Sequence, residues 1–124
     1  MPTEKGDSSN IGESTALTIL AGDHNKIFYY HGSLKEALQK GLFGFTNYSL
    51  RDGIGNIIRA KQLALDKIKA DYRKDLMLLI KPAEGAKYEN LVNILDEVLI
   101  NDVVHYAIVN ITSDEQMLMV KTKP

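Results

Sequence analysis

The stretch "DLMLLIKPAEGAKYENLVNILDEVLINDVVHYAIVNI", Asp75 to Ile111, narrows the available folds more than any other part of the chain. It opens on an apolar run without alternation, Asp75 to Pro82, as expected of a strand covered on both sides or lying at a sheet centre. Pro82 ends that run, since it has no N–H to give a ladder. From near Lys87, the residues Tyr88, Leu91, Val92, Leu95, Val98 and Leu99 recur at helical spacing and form one apolar stripe. Asn101 and Asp102, both tolerant of left-handed backbone, stop the helix. His105 to Ile111 reads as a second strand. Strand, helix and strand joined by short links form a right-handed crossover, so the two strands should run parallel. Tyr88, in the first helical turn, is expected to bury its ring against these strands and keep its hydroxyl at the polar rim.

Upstream, Ala16 to Ala21 alternates as a half-buried strand, and Ile27 to His31 is aromatic and β-branched. Gly22 to Lys26 joins them as a turn of about five residues, giving an antiparallel hairpin. "SLKEALQK" allows a helical turn or two, and Gly41 to Phe45 reads as a glycine-punctuated loop whose phenylalanines tuck against the domain. Ser49 and Asp52 have capping-box spacing. Behind them Ile54, Ile57, Ile58, Leu65, Ile68 and Tyr72 mark the core-facing stripe of a helix of about 22 residues. Lys61 interrupts that stripe and is expected to snorkel to an edge or mark an overhang. Met117 to Val120 is read as an extra edge strand or a segment that pairs with another copy. Residues 1–15 read as a polar leader and 16–124 as one domain. The predicted class is α+β, a two-layer sandwich with an N-terminal hairpin followed by α-β-α-β. Its mixed sheet has four or five strands, with two helices on one face.

The 124 residues include no cysteine, which removes disulfides, thiolate catalysis and cysteine-held metals. A net charge of −1 exerts no overall pull on nucleic acid. No stretch approaches the ~20 apolar residues of a membrane span, and the N-terminus lacks a secretory-signal layout. His24, His31 and His105 have neither metal-ligand spacing nor a nearby carboxylate pattern. "GIG" at Gly53 to Gly55 fails as a dinucleotide loop, because Ile58 stands where the third glycine belongs and no strand leads directly into it. Asp96-Glu97 and Asp114-Glu115 are adjacent pairs whose members point apart, so neither makes an acid/base dyad. Residues 84–115 carry seven acids against one base, whereas Arg51, Arg59, Lys67, Lys69, Arg73 and Lys74 line the polar side of the long helix. This pattern reads as a binding or coupling module without catalytic residues, cofactor or metal.

The order of hairpin, spacer, long helix, strand, Tyr-led helix and strand resembles the periplasmic domain of the ExbD/TolR family of biopolymer-transport proteins. The likeness covers Ala16 to Ile111. It is carried by Ile80, Ala86 to Tyr88, Leu91-Val92, Ile94-Leu95-Asp96 and Tyr106 to Val109, and upstream by "LTILAGDHNKIFYYHG". The resemblance implies a single-pass inner-membrane protein that forms a homodimer within a ring of ExbB/TolQ-like subunits. It would use the proton-motive force to drive a TonB- or TolA-like partner, with no nucleic acid involved. The family's membrane helix and its proton-carrying aspartate have no counterpart here, so the chain is expected to be a domain beginning in the linker. Ser33 to Tyr48 is longer than in the shortest members, and Asp102 takes the place of a glycine common in the family. Strand addition to a partner or a second copy is expected at Ile27, Phe28, Tyr29 and Tyr30 or at Met117, Leu118, Met119 and Val120. A TolR-like alternative puts peptidoglycan on a basic face of Arg59, Lys67 and Arg73. A cytosolic RNA- or ligand-binding domain is a further alternative, but no strand carries a base-stacking motif.

Overall fold

The computed structural model describes residues 15–22, 26–49 and 53–121, with the side chains of Val120 and Lys121 excepted. The expected leader through Ser14, the hairpin tip at His24, and Arg51 and Asp52 lie outside the described residues. The chain runs β1 (Ala16–Ala21), β2 (Ile27–His31), α1 (Leu34–Lys40), β3 (Phe43–Thr46) and α2 (Ile54–Ile68). A 3-10 turn (Tyr72–Asp75), β4 (Met77–Pro82), α3 (Tyr88–Ile100), β5 (His105–Ile108) and α4 (Ser113–Lys121) follow.

The five strands form one mixed sheet in the order β3-β2-β1-β4-β5. β1–β2 and β2–β3 are antiparallel, while β1–β4 and β4–β5 are parallel, as the crossover requires. The hairpin register sets Leu17 opposite His31 and Ala21 opposite Ile27. Side chains alternate across the sheet. On one face Leu17, Ile19, Ala21, Ile27, Leu78 and Ile80 pack under Ile54, Ile58 and Leu65 of α2 and Ile94 and Val98 of α3. On the other, Leu20, Phe28 and Tyr30 lie beneath Ala37 of α1 and Met119 of α4. The α+β class, the mixed five-stranded sheet and the pair of helices on one face agree with the sequence reading. Two short helices on the opposite face explain why β1 is buried almost throughout.

Four local readings are corrected. Gly41–Phe45 is no loop: the chain leaves α1 through left-handed Gly41 and pairs Phe43–Thr46 with β2. Gly44 allows this pairing, because a Cβ there would lie 2.6 Å from the Tyr29 hydroxyl oxygen. The long helix stops at Ile68. Lys69 is extended, Asp71 is left-handed with φ 60°, and the chain folds back through the 3-10 turn. The Asp66 carboxylate accepts from the Arg73 backbone N–H and side-chain Nε and holds that reversal. No glycine or proline announces the break.

Lys61 neither snorkels nor overhangs: it is 0% exposed. Finally, Met117–Val120 lies within α4. Thr112 and Glu115 form a reciprocal capping box at its start: Glu115 N donates to Thr112 Oγ1, and Thr112 N donates to Glu115 Oε1.

Candidate functional site

β2 offers no free edge. β1 flanks it on one side and β3 on the other, so Ile27, Phe28, Tyr29 and Tyr30 have their ladder partners inside the domain. Ile27, Phe28 and Tyr30 are buried. Met117, Leu118 and Met119 are helical: Met119 is buried, Leu118 is half-buried and Met117 is exposed. Val120 is in the same helix, its side chain outside the described residues. The two expected strand-addition segments therefore do not present edges. A glycine-punctuated reading of Gly41–Phe45 hides β3. The signal that identifies α4 is the spacing of Thr112 and Glu115, a capping box just ahead of the apolar run.

The three basic residues do not make one free cationic face. Arg59 Nη1 lies 3.8 Å from the buried Glu97 carboxylate and donates to Asn101 Oδ1 at 3.2 Å. Arg73 Nε donates to Asp66 at 2.6 Å from the 3-10 turn, so it does not continue the face of α2. Backbone and side-chain donation from Arg73 hold Asp66 below the usual carboxylate range. Lys67 is exposed.

Between α2 and α3 lies a polar seam. Asn101 Nδ2 donates to Glu97 Oε1, Gln62 Nε2 donates to Asn101 O at 2.8 Å, and Gly55 leaves room for the Glu97 carboxylate. The seam rotates α3 away from the orientation its aliphatics suggest. Asn90, Ile94, Glu97 and Val98 are buried, whereas Tyr88 is 82% exposed and anchors nothing. A hydrophobic count could not find this register, because two of the four buried positions are polar and satisfied by hydrogen-bond partners.

The opposite face carries a second buried network, which fastens α4 to the sheet. Tyr30 Oη donates to Glu115 Oε2 at 2.5 Å, and Lys81 Nζ donates to Glu115 Oε1 and Oε2 at 3.1 and 2.9 Å. Burial pushes Glu115 up. Hydrogen bonds from Tyr30, Thr112 and Lys81, together with the Lys81 charge, outweigh it and hold the carboxyl below its ordinary value. Burial, then donation to Glu115, drives Tyr30 up to about 12. Open grooves of about 620 and 530 Å³ flank α4, one along Ala83, Ile111 and Met117, the other along Leu34, Leu38 and Leu118.

Under α2, His31 is buried with Nδ1 unpartnered. Burial and the Lys61 charge lower His31 to about 4, and burial lowers Lys61 to about 8. Within each acidic pair one member is buried and the other is not: Glu97 against Asp96, and Glu115 against Asp114. Among the described residues, no group of three or more His, Asp or Glu is arranged to hold a metal ion. No helix among them is long and apolar enough to cross a membrane.

The available edges are those of β3 and β5, each with one neighbour among the described residues. β3 turns Phe43 and Phe45 onto Phe28, with ring centroids 5.6 and 5.1 Å away, and Lys26 Nζ stands 5.5 Å above Phe45. β5 and the chain leading into it expose Leu99, Ile100, Val104, Tyr106 and Ile108. No protein-family model, curated protein or solved structure matches this sequence.

Proposed function

We propose that this chain is the periplasmic coupling domain of an ExbD/TolR-type inner-membrane protein, working without catalysis by binding neighbours. In this reading it sits beside an ExbB/TolQ-like channel and passes proton-driven work to a TonB- or TolA-like protein through reversible surface contacts. The observation that carries the reading is the succession of an N-terminal hairpin and a parallel strand–helix–strand crossover, β4–α3–β5. Among the described residues, those on which the family resemblance rests fall on these elements and their links. The two open sheet edges, β3 and β5, suit an extended partner segment added by main-chain hydrogen bonding. A peptidoglycan role on Arg59, Lys67 and Arg73 is disfavoured by the carboxylate partners of both arginines.

The test is co-purification of the complete natural gene product from membranes. The reading expects a three-helix membrane protein to accompany it, and a reading frame that continues upstream into about 20 apolar residues bearing one aspartate. A gene product that starts at Met1 and purifies without a membrane partner overturns it.

A further inference from the structure

We infer that the trough between α3 and β5 is a docking groove for a basic amphipathic helix, about three turns long, on a partner protein. This goes beyond the coupling reading. It names a helical partner of stated charge and rests on this face alone, whatever machinery the chain is joined to.

A helix is about 10 Å across and neighbouring strands lie about 4.8 Å apart, so one helix roofs about two strands. α2 and α3 therefore roof about four of the five strands on their side of the sheet. At the β3 end no apolar side chain is left over. Phe43 and Phe45 pair with Tyr30 and Phe28 and share their face, so only Gly44 and Thr46 look toward α2. At the β5 end the roof falls short. Tyr106 and Ile108 pair with Leu78 and Ile80, so their side chains stand on the α2/α3 face, yet they remain 47% and 49% exposed. Beside them runs one flank of α3. Glu97 turns toward Arg59 of α2, and Ile94 and Val98 face the sheet. At about 100° per residue, the flank away from α2 is then Tyr88, Val92, Leu95 and Leu99. Tyr88 and Leu99 are exposed, and Val92 and Leu95 are half-buried. The six side chains make one apolar trough of several hundred Å², large for a single chain.

The slot has the dimensions of a helix. Packed helices stand about 8–10 Å apart, and Tyr88 to Leu99 runs about 16 Å, or three turns. Charge fixes the occupant. Glu89 and Asp96 line the solvent side of the flank, both exposed and neither in an ion pair among the described residues. They lie two turns apart on one side of α3, matching Lys or Arg two turns apart on the incoming helix. No lysine or arginine occurs from 88 to 120 to satisfy them. A second copy presenting the same face would set these carboxylates against their own kind, and anionic lipid is repelled in the same way. The chain's own residues 1–14 have three acids, one base and no apolar stripe, so they do not match the groove.

The test uses the whole 124-residue chain, isotope-labelled for NMR. The probes are two synthetic peptides of about 18 residues, long enough to form a helix, with one leucine pattern and either Lys or Glu at the polar positions. The leucine–lysine peptide should shift the amide resonances of α3 and β5. It should bind about tenfold more tightly than the leucine–glutamate peptide and more weakly as salt rises. Glu89→Lys combined with Asp96→Lys should reverse that preference. Leu99→Ser, at a position 71% exposed, should weaken the lysine peptide about tenfold and leave the circular dichroism unchanged. The inference is overturned if the shifts map elsewhere, if the two peptides bind equally, or if the folded double variant keeps the wild-type preference. Unchanged binding by Leu99→Ser also overturns it, and that variant decides should the double variant unfold. Self-association of the free chain that Leu99→Ser abolishes would put a second copy in the groove and overturn the inference too. Co-purification with a membrane subunit is a separate readout, so the groove and the coupling role can fail independently.

Discussion

Lys61 and His31 sit buried on the face that α2 covers, and both are held toward their neutral forms. The folded Lys61 titrates near 8 and the unfolded one near 10.5. Between those values the unfolded chain binds more protons, so stability should rise with pH across the window, by on the order of 3 kcal/mol. Urea unfolding at pH 7 to 10 should show that rise in the wild type and not in Lys61→Met. For His31 the window lies lower: stability should fall as pH drops from 6.5 toward 4, where only the unfolded ring takes up a proton. His31→Gln should lack that acid component in the same titration. Neither burial is legible from the sequence. A lysine within an apolar stripe usually carries its charge to solvent, and only the sheet lying under α2 denies Lys61 that route.

At the level of elements, α4 and α3 are held by groups that a hydrophobic count ignores. Glu115 joins the cap of α4 to Lys81 and Tyr30, and its lowered pKa gives stability that is present above the ordinary carboxyl value and lost as pH falls below it. Glu115→Gln leaves the Lys81 charge buried without its counter-ion and should cost about 2–4 kcal/mol in denaturant unfolding at pH 7. The loss relative to wild type should shrink toward pH 3. In α3 the contrast is between exposed and buried members. Tyr88→Ala should change stability by less than about 0.5 kcal/mol, whereas Ile94→Ala should cost about 2–5 kcal/mol. Similar losses in both variants would restore the orientation expected from aliphatic spacing. Periodicity places α3 correctly along the chain and puts Leu91, Leu95 and Val98 against the core. It misses the turn of the helix that buries Asn90, Ile94 and Glu97 and leaves Tyr88 and Leu99 exposed, because two of those buried positions are polar.

In the whole molecule, the two sheet edges separate the strands that can accept a neighbour from those that cannot. A proline at Tyr29 falls in a strand paired on both sides, opposite Ile19 and Gly44, and should unfold the domain in thermal melts. A proline at Ile108 should melt near wild type. If Tyr29→Pro instead kept a cooperative transition near that of wild type, β3 would not be a true member of the sheet.

The hairpin, the parallel crossover and the α+β class could be read from residue order alone, because they rest on local periodicity, turn residues and the handedness of short connections. Which strands end the sheet, where α2 breaks, how α3 is rotated, and whether Met117–Val120 is strand or helix are settled by contacts between residues outside one another's local pattern. Asp66 with Arg73, Gly44 with Tyr29, Glu97 with Arg59, and Glu115 with Lys81 and Tyr30 are those contacts. Each satisfies or makes room for a group whose partner lies on another element, so the periodicity of a single element cannot reveal it.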